Sequence, residues 1–163
     1  MIINEYLLQL KKKCESKGIN VSLAESCTGG LVSSSITSIA GSSSFFNSAI
    51  ISYSNEAKIK LLGVDRKLIS KFGAVSEEVS FSMAENLYKI TKSNICVSIT
   101  GVAGPSGGTR FKPVGTVYFT FYLKIDKKKE VLNYKKFFNY KNRNVIQKKS
   151  NEFVLRSLLK MIS

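Results

Sequence analysis

Short apolar runs rich in β-branched residues alternate along the chain with segments of helical spacing, and no other feature limits the possible folds as strongly. A strand pattern around Val21 and Leu23 passes through a glycine-containing turn into a helical pattern, and the run Ile95 to Thr100 ends in a second glycine-rich segment. Two further alternating runs form a predicted hairpin around residues 126–128. Strands interleaved with helices and followed by one hairpin predict an α/β fold, a three-layer α/β/α sandwich on a mixed sheet.

The same patterns give approximate boundaries for the elements. Helices are expected over about residues 3–17, 31–39, 55–62, 65–71, 76–90 and 144–161, and strands over about 21–24, 49–53, 95–100, 115–124 and 131–138. Ser54 and Ser76 are placed to cap the helices that follow them, and Ile90 is expected on the buried face of its helix. A chain of 163 residues has the size of one ordinary domain, so residues 1–163 are predicted to form a single domain.

The chain contains no histidine. This excludes Ser-His-Asp and Cys-His catalysis, histidine-ligated metals and any histidine acid or base. Proton transfer must then use lysine, tyrosine, a carboxylate, cysteine or water. The three cysteines are odd in number and widely spaced, which supports neither a disulfide framework nor a zinc site. We therefore expect a reducing compartment and a site without a metal or cofactor.

No apolar stretch approaches the roughly 18 residues that a membrane-spanning helix needs. The amino-terminal segment also lacks the basic region followed by an apolar core that marks a secretory signal. These two observations predict a soluble, cytoplasmic protein that does not engage a membrane.

The net charge of +14 raises the question of a nucleic-acid partner. Only four of the 25 basic residues are arginine, the residue on which base and phosphate recognition usually depends, and the lysines are scattered through every element. This distribution favours a general drift towards lysine over a nucleic-acid surface, although a diffuse positive field would help to attract a phosphorylated substrate.

The segment AESCTGG, residues 24–30, lies between a predicted strand and a predicted helix, where open α/β sheets place ligands. Ser26 could act there as a nucleophile, with backbone N–H groups from Cys27 to Gly30, including those of Thr28 and Gly29, as an oxyanion hole. The alternative is structural: Ser26 or Thr28 caps the helix and the glycines permit a tight turn.

A second strand-to-helix junction carries the segment YSNEAK, residues 53–58. Lys58 could replace histidine as a base if burial or nearby positive charge lowered its pKa by several units from the usual value of about 10.4. Ser54 and Lys58 could also form a local pair one helical turn apart. The structural alternative is a capped helix with solvated lysines.

The glycine-rich loop over residues 101–108 could hold a phosphate or a flat ring through backbone N–H groups, with Gly101 and Gly104 as candidate ligand-binding positions. It lacks the Lys-Ser/Thr ending of a Walker motif and the spacing of a dinucleotide-binding loop, which disfavours ATP and NAD. An ordinary surface loop fits the pattern equally well.

Cys27 is a competing nucleophile, because a thiolate at a helix amino terminus would be stabilised. Without a partner histidine it ranks second to Ser26. Cys14 and Cys96 lie on apolar faces and are predicted to be core residues.

Taken together and in order, five segments closely resemble the CinA C-terminal domain family, and the resemblance spans roughly residues 5–160. The segments are AESCTGG at 24–30, SYSNEAK at 52–58, GAVSEE at 73–78, TGVAGP at 100–105 and KPVGTV at 112–117. The resemblance implies a sandwich on a five-stranded mixed sheet and a homodimer. Standalone members of the family are nicotinamide mononucleotide amidohydrolases, which release ammonia and leave nicotinate mononucleotide for NAD resynthesis.

Carried over by position, the resemblance implies that Ser26 is the nucleophile, Lys58 its base and Tyr53 an assisting hydrogen-bonding residue. It also implies that Thr100 is a polar residue of the site. Arg143 matches an arginine that follows Gly-Asp in relatives and would bind the phosphate or ribose. Here the two preceding residues are Lys141 and Asn142, so the phosphate ligands are less well defined than the catalytic pair.

The nucleotide-binding domain that precedes this region in fused CinA proteins is not found in the sequence, which points to the standalone enzyme. The rival hypothesis is a nucleotide-binding or competence-related interaction module without turnover. Retention of Ser26, Tyr53, Lys58 and Thr100 argues against such a loss of activity.

Overall fold

The computed structural model describes residues 3–163, so the first two residues of the predicted domain lie outside the described part of the chain. The helices are α1 Ile3–Lys17, α2 Leu31–Thr37, α3 Asn55–Leu62, α4 Arg66–Phe72, α5 Glu77–Thr91 and α6 Arg143–Met161. The strands are β1 Val21–Glu25, β2 Phe46–Ile51, β3 Ile95–Gly101, β4 Thr116–Ile125 and β5 Lys128–Phe137, and a short 3-10 turn covers Ser42–Ser44.

One mixed sheet organises the molecule, with the strand order β2-β1-β3-β4-β5. β1 pairs in parallel with both β2 and β3, whereas β4 is antiparallel to β3 and to β5. From β1 the chain continues to β2 on one side of it, and β3 pairs with β1 on the other side. The strand order therefore reverses between β1 and β3, and the carboxyl ends of these two strands border that point. In open α/β sheets, ligands bind at such a point.

Helices cover both faces of the sheet and enclose two separate cores. On one face α1, α2 and α6 contribute the apolar side chains that pack on β1, β3 and β4; this core includes Leu10, Ile36 and Leu155. On the other face α3, α4 and α5 form a smaller core around Leu62 and Met83. The predicted three-layer α/β/α sandwich is therefore confirmed.

Most of the predicted boundaries agree with the structure, and the serine caps are where they were expected. The hydroxyl of Ser54 accepts a hydrogen bond from the N–H of Ala57, and the hydroxyl of Ser76 accepts one from the N–H of Val79. Cys14 and Cys96 are both buried, as predicted. Within residues 3–163, every helix is too short or too polar to cross a membrane.

Three local predictions are wrong. The second strand is Phe46–Ile51, not a buried strand at 49–53, because it is an edge strand that pairs only with β1 and leaves the sheet at Ser52. The second strand of the hairpin begins at Lys128, since the turn needs only two residues. Ile90 is exposed because it lies in the last turn of α5, where Tyr88 takes the sheet side by stacking on Tyr122.

Candidate active site

Ser26 follows directly after the last residue of β1, at the carboxyl edge of the parallel strands. The N–H of Ser26 donates to the carbonyl of Ile99 in β3, and the carbonyl of Glu25 accepts from the N–H of Ser52 after β2. These two bonds tie together the ends of the three parallel strands. They bring two segments that are distant in sequence, the Ser26 turn and the start of α3, to the same place.

Lys58 reaches Ser26 from the second turn of α3. Its Nζ donates a hydrogen bond of 2.9 Å to Ser26 Oγ and another of 2.9 Å to the carbonyl of Ser52. Lys58 is 2% exposed and Ser26 is 7% exposed, so the pair is held largely out of water. The hydroxyl and the amine therefore meet in one crevice, and the local pairing of Lys58 with Ser54 is not formed.

Burial lowers the pKa of Lys58 from its usual 10.5, because a charged ammonium loses solvation there, while Cys27 nearby opposes the shift. No carboxylate forms a salt bridge with Lys58 among the described residues, so the charged form gains no compensating partner. A lysine with a lowered pKa and a hydroxyl within hydrogen-bonding distance has the geometry of a general base beside a nucleophile.

Glu25, which the sequence reasoning passed over, organises the turn after β1. Its side chain is fully buried and accepts four hydrogen bonds, from the hydroxyl of Thr28 and from the N–H groups of Gly30, Val32 and Ser33. A carboxylate in this position satisfies the amides at the start of α2 and complements the helix dipole. The available signal was a glutamate at the end of a predicted strand, three residues before the Thr-Gly-Gly that leads into a helix.

The oxyanion hole predicted over residues 27–30 has to be corrected. The N–H of Gly29 donates to the carbonyl of Ser26, and the N–H of Gly30 donates to Glu25. Their role is conformational, since both glycines have positive φ angles, of 58° and 97°, in the turn. Within residues 3–163, only the N–H groups of Cys27 and Thr28 in this turn lack another residue as acceptor.

The Cys27 thiol is poorly suited to act as a nucleophile. Burial raises its pKa to about 12, and the positive charges of Arg143 and Lys58 nearby do not offset this effect. The expected stabilisation of a thiolate is therefore not found, because desolvation by burial is the largest effect and the Glu25 carboxylate, bound at the start of α2, adds to it.

Arg143 joins the first turn of α6 to the rim of the crevice. Its guanidinium donates to the carbonyl of Gly104 over 2.8 Å and to the hydroxyl of Tyr53. Tyr53 is 60% exposed and does not form a hydrogen bond with Ser26 or Lys58 in the described part of the chain. The structure thus places Tyr53, Gly104 and Arg143 together, with Arg143 near enough to Cys27 for its charge to act on that thiol.

Thr100 and Gly101 stand at the end of β3, beside the Ser26 turn. The buried hydroxyl of Thr100 donates to the carbonyl of Ala74 over 2.8 Å, so it anchors the segment before α5. A side chain at Gly101 would come within 2.8 Å of the carbonyl oxygen of Thr116, which explains the need for glycine at this close approach of two strands.

Two cavities are found among the described residues, and the predicted site residues line neither of them. One, of about 380 Å³, has walls that include Ala74, whose carbonyl accepts from Thr100, and Val102, Phe111 and Lys112. A larger one of about 660 Å³ lies between β5 and α6. Within residues 3–163, no group of three or more cysteine, aspartate or glutamate side chains is arranged to hold a metal ion.

Comparisons with known proteins agree with this fold. A CinA-like protein of Kosmotoga olearia is 51% identical over 121 residues, which are 74% of this chain and 29% of that protein. A putative competence-damage inducible protein of Clostridioides difficile is 48% identical over 126 residues, 76% of this chain and 30% of that protein. The chain thus spans about a third of the length of these curated relatives.

Among solved structures, the crystal structure of a competence/damage inducible protein from Agrobacterium tumefaciens superposes with a TM-score of 0.93 at 33% identity. The match covers 99% of this chain and 96% of that one. The family model described as the CinA C-terminal domain matches residues 4–162. This chain belongs to the CinA C-terminal domain family.

Proposed function

We propose that this protein hydrolyses the carboxamide of nicotinamide mononucleotide to nicotinate mononucleotide and ammonia, with Ser26 as nucleophile and Lys58 as base. The observation that carries the proposal is the buried 2.9 Å hydrogen bond between Lys58 Nζ and Ser26 Oγ. In a chain without histidine, this is an arrangement that can both activate a hydroxyl and return a proton to a leaving amine.

In the first half of the reaction, neutral Lys58 accepts the proton of the Ser26 hydroxyl. The serine oxygen attacks the carboxamide carbon and forms a tetrahedral intermediate with a negative oxygen. The N–H groups of Cys27 and Thr28 are the candidate donors to this oxygen. Protonated Lys58 then gives its proton to the amide nitrogen, the C–N bond breaks, and ammonia leaves an ester on Ser26.

In the second half, water attacks the ester carbonyl while Lys58, neutral again, accepts a proton from it. The bond to Ser26 breaks and the serine oxygen takes up the proton from Lys58, which releases the carboxylic acid; the acid then loses its proton to water and becomes the carboxylate product. The carbonyl of Ser52 accepts a second hydrogen bond from Lys58 and so keeps the amine in place during both halves. Each step uses only groups of this chain and water.

Recognition of the nucleotide is proposed to fall to the residues at the rim. Arg143 lies beside Gly104 and Tyr53, and its guanidinium has the fork geometry that binds phosphate oxygens. The cavity whose walls include Ala74, the hydrogen-bond partner of Thr100, is a candidate space for part of the substrate.

An ammonia-release assay on nicotinamide mononucleotide, with nicotinamide and NAD as comparison substrates and EDTA present, tests the proposal. We expect turnover of the mononucleotide in EDTA, with little or none of nicotinamide, which has no phosphate for Arg143. Binding of the mononucleotide without ammonia release would favour the rival hypothesis of a nucleotide-binding module. Loss of activity in EDTA would contradict the proposed metal-independent mechanism.

A further inference from the structure

In the turn that carries Ser26, one peptide carbonyl accepts no hydrogen bond from within the turn. The carbonyl of Ser26 accepts from the N–H of Gly29, and the carbonyl of Thr28 accepts from the N–H of Leu31. The carbonyl of Cys27, between them, accepts instead from the side chain of Gln147, which is 120 residues away in sequence. The Nε2 to oxygen distance is 2.9 Å.

Gln147 belongs to a row of polar side chains on one face of α6. Arg143, Gln147 and Asn151 are spaced by four residues and therefore lie on the same side of the helix. Arg143 bonds to Gly104 and Tyr53, Gln147 to Cys27, and Asn151 to the hydroxyl of Ser35 in α2. Through these bonds the first turns of α6 contact the rim of the crevice, the turn that carries Ser26, and α2 behind that turn.

The direction of the Cys27 carbonyl sets the direction of the Thr28 N–H. In a trans peptide the C=O and the following N–H point in opposite directions. α6 packs on the sheet face formed with α1 and α2, whereas Lys58 arrives from α3 on the other face. With its carbonyl held towards α6, the Cys27–Thr28 peptide turns the Thr28 N–H away from α6, towards the side from which Lys58 approaches Ser26.

We propose that Gln147 is a positioning residue for the reaction, which holds the Cys27–Thr28 peptide so that the Thr28 N–H is presented to the oxyanion. The inference rests on the proposed function. Gln147 need not touch the substrate, because it acts through the peptide. Without its N–H donor the peptide can rotate, and a rotated peptide would present a carbonyl oxygen where the N–H is needed.

Three variants in α6 separate this role from a structural one. Gln147→Met has a similar length and no donor, Gln147→Lys keeps an N–H donor, and Lys148→Met is an exposed control on the neighbouring position. Removing an oxyanion donor lowers kcat by roughly 100-fold to 1,000-fold. Gln147→Met loosens the Thr28 N–H donor but does not remove it. We therefore expect this variant to lower kcat by about 10-fold or more, with KM within about two-fold.

Gln147→Lys should restore kcat to within about three-fold of the unmodified protein, and Lys148→Met should leave it unchanged. An unaltered kcat in Gln147→Met, or an equal loss in Lys148→Met, would overturn the proposal. So would a rise in KM at constant kcat, since that pattern indicates lost substrate binding and not a lost contact in the transition state.

The amide resonance of Thr28 in a ¹H–¹⁵N spectrum provides a readout that does not depend on turnover. We expect it to shift or broaden in Gln147→Met and to stay close to its original position in Gln147→Lys. If the unmodified protein releases no ammonia from nicotinamide mononucleotide, the proposed function fails, and this resonance alone decides whether Gln147 positions the peptide. An unchanged Thr28 resonance in Gln147→Met would reject the positioning itself.

Discussion

At the scale of single residues, the proposed chemistry depends on how burial changes the pKa values of Lys58 and Cys27. Burial lowers the pKa of Lys58 and raises the pKa of Cys27, and in both cases it favours the neutral form. A neutral amine is an active base, whereas a neutral thiol is a weak nucleophile. The same desolvation therefore favours the lysine as a base and disfavours the cysteine as a nucleophile, which supports Ser26 as the proposed nucleophile.

The lowered pKa of Lys58 predicts a rising pH dependence of the reaction. kcat/KM should increase with pH as Lys58 loses its proton, and the apparent pKa of this rise should lie below the usual 10.5 because burial destabilises the ammonium. Initial rates of ammonia release between pH 6 and 10 measure it. A rate that falls as the pH rises towards neutrality would contradict the assignment of Lys58 as the base.

The same shift predicts how stability changes with pH. Between the lowered pKa in the folded protein and 10.5 in the unfolded chain, the unfolded chain binds more protons at Lys58, so the contribution of Lys58 to the free energy of unfolding should rise with pH. Below that window the cost of the buried charge is fully present. In urea denaturation, the free energy of unfolding of the unmodified protein and of the exposed control Lys60→Met should rise with pH relative to that of Lys58→Met, which removes the group and keeps the raised pKa of the buried cysteines.

Cys27 is predicted to be dispensable for catalysis. With 6% exposure and a pKa of about 12, its thiol has almost no thiolate at neutral pH. Cys27→Ala should keep ammonia release within about three-fold, and iodoacetamide should not inactivate the unmodified protein. Rapid inactivation that Cys27→Ala escapes would assign the cysteine a direct role.

At the scale of elements, the important unit is the turn between β1 and α2 with its internal carboxylate. The AESCTGG segment indicated a strand, a tight turn and a helix, and the structure has them. Propensity and spacing are local signals, so they located Ser26 correctly but could not show that Glu25 would use the amide of Gly30. Likewise, no local signal connects Gln147 to Cys27, because that contact forms only when the last helix packs against α1 and α2.

Glu25→Gln is predicted to destabilise the fold. A neutral amide replaces a carboxylate that accepts four hydrogen bonds, and its NH2 group would face backbone donors. We expect a loss of about 2–4 kcal/mol in the free energy of unfolding, since hydrogen bonds to buried charged groups are worth more than exposed ones. The matched control is Glu56→Gln, an exposed acid paired with Lys60 and Arg66, which should cost less than about 1 kcal/mol. Equal effects of the two substitutions in thermal or urea unfolding would refute the structural role of Glu25.

At the scale of the whole molecule, the sequence predicted the layers well and the edges of the sheet poorly. The alternation of strands and helices specifies which segments must be covered on both faces, and so it led to the α/β/α sandwich. Whether a strand lies at an edge depends on the order of strands. The apolar pattern of β2 therefore predicts a buried strand, whereas in the structure β2 is an edge strand that pairs only with β1.

The charge of +14 is also a property of the whole molecule, and we predict that it gives weak, non-specific binding to nucleic acid. Several lysines are engaged locally: Lys112 donates to the carbonyl of Phe72, and Lys89 and Lys149 form ion pairs with nearby glutamates. Fluorescence anisotropy with a short DNA duplex should show binding at 50 mM salt that becomes weaker than about 10 μM at 150 mM. Tight binding that survives physiological salt would instead favour a nucleic-acid function.

The most direct test of the account compares initial rates of ammonia release from nicotinamide mononucleotide in Ser26→Ala, Lys58→Met and the exposed control Lys60→Met. We expect kcat to fall by at least about 1,000-fold in Ser26→Ala and about 100-fold or more in Lys58→Met, with folded proteins in both cases. Lys60→Met should match the unmodified protein. Near-normal ammonia release by folded Ser26→Ala or Lys58→Met would contradict the proposal that this buried pair performs the reaction.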